Sequence, residues 1–183
     1  RLLTETKAGT TTSYVYDNNG NLVSEQSSNK TVVYDWDSEN RLVGAITSDA
    51  TGTHQVQYLY DENGIRVASI RDGVEVRYLV DANRQYAQVI EEYSPTGTTL
   101  TSYVYGNELV SQTHDGNTSY YLYDGYSGVR QLTNASGTVS DSYTYDSYGA
   151  LIERTGNTTN DYLYRGEKTD SNTGLQYLRA RYY

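Results

Sequence analysis

The chain contains no cysteine, no methionine and no phenylalanine, and only one proline and one tryptophan. Without cysteine it forms no disulfide and offers no thiolate to a metal, and the redox compartment is left open. No run approaches the roughly 18 apolar residues that a membrane-crossing helix needs, so no membrane span is expected. Leu, Ile and Val together number 34 of 183 residues. That is just under the roughly 20% below which a charged chain is suspected of disorder. The net charge of -9 pushes the same way. Cations are few, 14 Lys and Arg against 23 Asp and Glu, which argues against nucleic acid as a partner because phosphates are neutralised by clustered cations. The sequence opens on Arg1 directly into patterned residues. It reads as a fragment or processed piece of a longer polypeptide.

What the chain has in excess is tyrosine, 22 residues. A Tyr ring buries on the order of 150–250 Å² but brings a hydroxyl that wants a partner. A dry, leucine-type core is therefore not expected. The tyrosines are also not scattered. A pattern Tyr-x-aromatic-Asp recurs at Tyr14-Val15-Tyr16-Asp17, Tyr34-Asp35-Trp36-Asp37, Tyr58-Leu59-Tyr60-Asp61 and Tyr78-Leu79-Val80-Asp81. It continues at Tyr103-Val104-Tyr105-Gly106, Tyr121-Leu122-Tyr123-Asp124, Tyr143-Thr144-Tyr145-Asp146 and Tyr162-Leu163-Tyr164-Arg165. The leading Tyr positions lie 18 to 25 residues apart, and the first and third places hold 14 of the 22 tyrosines. A fixed period of this kind is the signature of a repeat architecture.

Each copy predicts a strand pair. Rings two residues apart share one face of a strand. Asp17-Asn18-Asn19-Gly20, Asp61-Glu62-Asn63-Gly64 and Asp146-Ser147-Tyr148-Gly149 then supply turn residues, with Asn40 in the Gly place of Asp37-Ser38-Glu39-Asn40. β-Branched and aromatic residues fill the runs between turns. The expectation is an all-β array of antiparallel hairpins, eight units long, wound as a spiralling ribbon or as part of a hollow shell. If Gly20 and Gly64 have positive φ, a β-branched residue at either should cost about 1 kcal/mol or more.

Tyr-x-Tyr-Asp-x-x-Gly-x-Leu at a period near 21 resembles the YD repeats of the RHS family, whose relatives include toxin-complex C subunits, wall-associated bacterial proteins and teneurins. The stretch Gly174-Leu175-Gln176-Tyr177-Leu178-Arg179-Ala180-Arg181-Tyr182-Tyr183 is similar to the core-associated segment that closes such arrays. The resemblance divides the chain into a YD-repeat array at 1–160 and a closing segment at 161–183. It implies a structural shell fragment of a secreted or cell-surface protein, bacterial or archaeal, that encloses or presents a C-terminal, toxin-like cargo domain of the polymorphic-toxin type. The self-cleaving aspartate that follows the core segment in relatives has no counterpart placed on these residues, and neither has a cargo domain.

The residues themselves supply no catalytic constellation. His54 and His114 are the only histidines and sit in polar, turn-like contexts without convergent partners. Asp17-Asn18-Asn19-Gly20-Asn21 has the spacing of half a calcium loop, but Ser28 stands where the bidentate Glu belongs. Glu91 and Glu92 point to opposite faces of a strand. No enzyme, metal or cofactor is expected. Four Asn-x-Ser/Thr sequons, at Asn29, Asn117, Asn134 and Asn157, matter only in a host that glycosylates.

The candidate binding surface is the inner-face aromatic ladder, Tyr14, Tyr16, Tyr34, Trp36, Tyr58, Tyr60, Tyr78, Tyr103, Tyr105, Tyr121, Tyr123, Tyr143, Tyr145, Tyr162 and Tyr164. Its plain alternative is cross-strand stabilisation of the hairpins. Gly174, Leu175, Tyr177, Leu178, Arg179, Arg181, Tyr182 and Tyr183 are the candidate structural closing residues. Residues 165–183 carry a local charge of +2 on a body of -11, so this segment is expected to dock onto the array as a plug or onto another copy. Partners expected are the rest of the polypeptide or its cargo, another copy through strand edges, or a glycan. A self-assembling filament subunit or a glycan- or surface-binding adhesive module is the alternative reading.

Overall fold

The structure, a computed structural model, describes residues 1–179 and 181–183; Ala180 of the closing motif lies outside them. Runs of Val, Thr and Tyr too short and too regularly interrupted for helices become strands, each laid antiparallel beside its neighbour. The chain divides into two compact units. The first, residues 1–76 with 181 and 182, contains β1 (Thr4–Lys7), β2 (Thr10–Tyr16), β3 (Leu22–Gln26), β4 (Lys30–Trp36), β5 (Leu42–Asp49), β6 (Gly52–Tyr60) and β7 (Arg66–Arg71), side by side in sequence order. The second, residues 77–179 with 183, holds most of β8 (Val74–Asp81), then β9 (Gln88–Tyr93), β10 (Thr99–Tyr105), β11 (Leu109–His114), β12 (Asn117–Tyr123), β13 (Val129–Thr133), β14 (Val139–Tyr145) and β15 (Leu151–Thr155), again in sequence order. The all-β hairpin array predicted from the repeat is what the chain forms.

The Asp-initiated turns share one geometry. The carboxylate oxygen of Asp61 accepts the backbone N–H of Asn63 at 2.9 Å and of Ile65 at 2.8 Å, and Asp124 and Asp146 repeat the pattern. The fourth turn residue is left-handed: Gly20 has φ 102° and Gly64 φ 76°, with Asn40 at 60° in the same place. Both glycines therefore meet the condition set above. Gly64→Val is expected to lower stability by about 1–3 kcal/mol, measured by urea denaturation, whereas an unchanged midpoint would show that the turn relaxes. At the turn end of each hairpin the register slips between the repeat's second and third residues, at Val15/Tyr16, Asp35/Trp36, Leu59/Tyr60, Leu79/Val80, Val104/Tyr105, Leu122/Tyr123 and Thr144/Tyr145. A bulge in the same place of seven hairpins adds twist at every step.

The pleat sorts the repeat by face. The first and third residues turn to the covered side, and the residue between them is exposed, as at Val15, Leu59, Val104 and Leu122. Tyr34, Tyr58, Tyr78, Tyr103, Tyr121, Tyr143 and Tyr162 are buried. The aliphatic residue after the turn joins them, with Leu42 and Val129 fully enclosed and Leu109 nearly so. In the second unit Tyr103, Leu109, Tyr121, Val129, Leu132, Tyr143 and Tyr162 form one contiguous cluster.

The eighth copy departs from the expected hairpin. Tyr162 makes only an isolated bridge to Lys168, and Tyr164–Gly166 form a short 3-10 turn with Arg165 at φ 58°. The cause is local: the Asn160 side chain accepts the N–H of Tyr162 at 3.0 Å and donates to its carbonyl at 2.9 Å. Both backbone groups that a partner strand would use are thereby occupied. The chain instead turns back through β16 (Lys168–Thr169) and β17 (Gln176–Tyr177).

Candidate functional site

The aromatic ladder has two tiers with different chemistry. In four repeats the third residue donates a hydrogen bond to backbone. Trp36 Nε1 donates to the Leu22 carbonyl at 2.8 Å, Tyr60 to Leu42 at 2.6 Å, Tyr123 to Leu109 at 2.7 Å and Tyr145 to Val129 at 2.8 Å. Each acceptor opens the strand after the previous turn, where the bulged ladder has ended. The ring's donor completes it. Phenylalanine has no donor and could not make these four bonds. Tyr123→Phe is expected to cost about 0.5–1.5 kcal/mol, because the Leu109 carbonyl loses its partner; an unchanged denaturation midpoint would remove this role. Guanidinium groups cover several of the same rings, Arg1 over Tyr16 at 5.7 Å, Arg41 over Tyr60 at 5.3 Å, Arg84 over Tyr105 at 5.4 Å and Arg130 over Tyr145 at 5.7 Å.

The leading tyrosines form the deeper tier, and in the second unit the chain's own last strap lies against them. Tyr121's hydroxyl sits 2.7 Å from Gln112 Oε1 and 2.8 Å from Asn160 Oδ1, and Asn160 Nδ2 reaches the Tyr143 hydroxyl at 3.3 Å. Gln112, 2% exposed, is itself fixed by donating to the Thr159 carbonyl at 2.6 Å. Tyr162 packs edge-on to Tyr103 with ring centroids 5.2 Å apart. The Lys168 ammonium, nearly buried, pairs with Glu92 and stands 4.9 Å from the centre of the Tyr78 ring. Tyr164 packs on Tyr145 at 5.6 Å and on the turn before β15, where a side chain at Gly149 would meet its ring. Burial raises the phenol pKa of Tyr103, Tyr105, Tyr121, Tyr123, Tyr143, Tyr145 and Tyr162 above the ordinary value.

In the first unit Tyr182 takes the corresponding role. Its hydroxyl lies 2.9 Å from that of Tyr60 and accepts from Arg66 at 3.4 Å, and its ring meets Trp36 edge-on at 6.1 Å and Tyr58 at 6.3 Å. Tyr14 is half-buried and donates to Glu5; burial and that carboxylate push its pKa up to about 12.

The remaining closing residues are placed as follows. Gly174, at φ 81°, donates its N–H to the Asp170 carbonyl, and the Leu175 carbonyl accepts the Asp170 N–H. Gln176 and Tyr183 exchange both backbone bonds, at 2.7 and 3.1 Å. Tyr177 is buried opposite Lys168, and Leu178 is half-buried. Arg179 pairs with Glu167 and donates to the Ala87 carbonyl at 3.1 Å, while Arg181 is exposed. No sequence motif singled out Gln112, Asp141 or Asn160, since an isolated polar residue carries no period.

The histidines lie away from this face's centre, near hairpin ends. His54 Nδ1 is 2.8 Å from Asp72 Oδ2 and its Nε2 is 3.3 Å from the Thr51 hydroxyl, which already donates to Asp49 at 2.6 Å. His114 Nδ1 is 2.7 Å from the Thr101 hydroxyl. Among the described residues no group of three or more His, Asp or Glu side chains converges as a metal site, and no helix is long and apolar enough to cross a membrane.

A family model described as "Teneurin YD-shell" matches residues 3–183. The chain is 32% identical over 92% of its length to the tRNA3(Ser)-specific nuclease WapA of Bacillus spizizenii, and 31% identical over the same share to the tRNA nuclease WapA of Bacillus subtilis strain 168. It spans 7% of the length of each of these relatives. Among solved structures, a chain of the TcdB2–TccC3 complex with Cdc42 is similar over 95% of this chain and 12% of its own, with TM-score 0.61 and 18% identity. A chain of the Photorhabdus luminescens Tc holotoxin pore is similar over 95% of this chain and 11% of its own, with TM-score 0.58 and 15% identity. At these identities the likeness to the solved structures is one of fold.

Proposed function

This chain belongs to the teneurin YD-shell family, and from that premise we propose that it is a non-enzymatic stretch of shell wall in a longer secreted or cell-surface protein. Its work is to keep a continuous hydrogen-bonded wall between solvent and whatever the rest of the polypeptide encloses. Following the names of its relatives, that content is a C-terminal toxin-like domain, such as a nuclease. The observation that supports this most is the use of the aromatic ladder. Four of its third-place donors end on backbone carbonyls, and in the second unit its inner rings are buried in one cluster with Tyr162 of the chain's own last stretch. A face built in this way stabilises a wall.

Limited proteolysis of the complete natural polypeptide tests the reading. The region after the shell is expected to resist cleavage until the hairpin array unfolds. Cleavage of that region while the array is intact would contradict enclosure. In a parallel assay the 183-residue chain is expected to leave tRNA intact; cleavage abolished by His54→Ala or His114→Ala would overturn its non-enzymatic character.

A further inference from the structure

We propose that the turn joining β6 to β7 carries a self-modification site, Asn63, whose side chain closes on the Gly64 nitrogen as a succinimide and reopens as isoaspartate or aspartate. The sequence contains two Asn-Gly steps, Asn19-Gly20 and Asn63-Gly64, in the same place of two Asp-initiated turns. Both asparagines are exposed. In both turns the glycine amide donates to the carbonyl of the leading Asp, at 3.2 and 3.1 Å. Glycine favours the reaction at either step, because no side chain shields its nitrogen. A guanidinium also lies beside each glycine, Arg1 at Gly20 and Arg41 at Gly64. Sequence, exposure and neighbouring charge therefore do not separate the two steps.

Hydrogen bonds separate them. The Gly20 N–H is held a second time, by the Asp17 carboxylate at 2.7 Å, and Asn19 Nδ2 donates to Asn40 Oδ1 at 3.0 Å. Asn21 donates to the same Asn40 oxygen at 2.8 Å and to Asp17, tying the two turns together. To react, the Gly20 nitrogen must give up its proton beside an anion, and the Asn19 amide must leave its partner. At the β6–β7 turn the Asp61 carboxylate accepts from Asn63 and Ile65 instead. The Gly64 N–H is left on a neutral carbonyl. Among the described residues the Asn63 side-chain amide makes no hydrogen bond, so nothing holds it away from that nitrogen.

The step balances with water as its only co-reactant. The Gly64 nitrogen bonds to Asn63 Cγ, its proton leaves with the side-chain nitrogen as ammonia, and a five-membered imide remains. Water then adds to either imide carbonyl and breaks that carbonyl's bond to nitrogen. Opening at the main-chain carbonyl gives isoaspartate, with one extra carbon in the backbone, and opening at the side-chain carbonyl gives aspartate. The turn is closed by the Asp61 N–H on the Ile65 carbonyl at 2.9 Å. Isoaspartate enlarges that closed ring and should loosen the β6–β7 hairpin. This site does not depend on the shell reading.

The test is peptide mapping by mass spectrometry of the folded 183-residue chain during incubation at physiological pH, with digestion at mildly acidic pH to hold back further reaction. A gain of about one mass unit is expected to accumulate in the peptide that carries Asn63. It should do so roughly tenfold faster than in the peptide that carries Asn19, because release of an amide from a carboxylate costs a factor of that order. In the chain unfolded by guanidinium chloride the two steps should react at similar rates. Asn40→Gly suits the left-handed backbone at that position, φ 60°, and removes the acceptor that holds Asn19. Conversion at Asn19 should therefore rise severalfold in this variant. No gain at Asn63 in the folded chain, or equal rates at the two steps, would overturn the proposal. An Asn19 rate unmoved by Asn40→Gly would overturn the restraint assigned to its side chain.

Discussion

Replacing Asp141 by alanine is expected to destabilise the second unit by about 3 kcal/mol or more, the range for stranding buried donors and one member of an ion pair. Asp141, on β14, is completely enclosed. One carboxylate oxygen accepts the Thr158 N–H at 2.9 Å and the other its hydroxyl, and Arg154 lies 3.6 Å away. Arg154 remains a third exposed, so most of the loss comes from the two stranded Thr158 donors. This carboxylate anchors the strap that leaves β15, and the next residues along it, Thr159 and Asn160, hold Gln112, Tyr121 and Tyr143. Asp141→Asn keeps one acceptor for the Thr158 N–H and turns its NH2 toward the Thr158 hydroxyl, which can accept in exchange, so its loss should be smaller. Denaturant unfolding of the two variants separates these contributions, and equal effects would show that charge, not the strap, dominates.

The second large effect is expected at Tyr162. Its ring is 3% exposed and packs among Tyr103, Tyr121 and Tyr143. Tyr162→Ala should cost about 3–5 kcal/mol, as for other large-to-small changes of buried aromatics. The predicted signature goes beyond lost stability: Tyr103 and Tyr105, now open to water, should titrate nearer the ordinary phenol value. Loss of stability with both phenols still suppressed would mean that the ring acts only as filler.

How much of this was legible in the sequence differs by level. The hairpins were, because Tyr-x-aromatic-Asp-x-x-Gly combines a period-two face with a turn that demands a left-handed residue, and Gly20, Asn40 and Gly64 all supply one. The composition warning of disorder was misleading. It counts aliphatic residues, whereas here tyrosines and the aliphatic residue after each turn share the burial. The seven bulges were not legible, since a register slip changes which carbonyl is left open without changing the residue pattern. Nor was the fate of the eighth copy. Tyr162-Leu163-Tyr164 keeps the aromatic pair, with Arg165 in the place of the turn Asp, and the side chain of Asn160, outside the motif, occupies both backbone groups of Tyr162. The excess positive charge of residues 165–183 identified a segment with a docking surface, but the partners of Lys168 and Tyr182 follow from three-dimensional packing alone.

The repeat's tyrosines belong to the wall, and in the second unit they lie beneath the chain's own last stretch. Spectrophotometric titration of tyrosine ionisation, followed alongside the β-sheet circular dichroism signal, tests it most directly. A phenol whose folded pKa is raised holds its proton in the native state after the unfolded chain, with pKa near 10, has released it. The stability this contributes is whole below about pH 10 and falls as pH rises beyond it. The seven suppressed phenols of the second unit should therefore stay silent while the exposed tyrosines ionise, and then appear together as the sheet signal collapses. Ionisation of all 22 tyrosines near the ordinary value of about 10, with the sheet signal intact, would contradict the account.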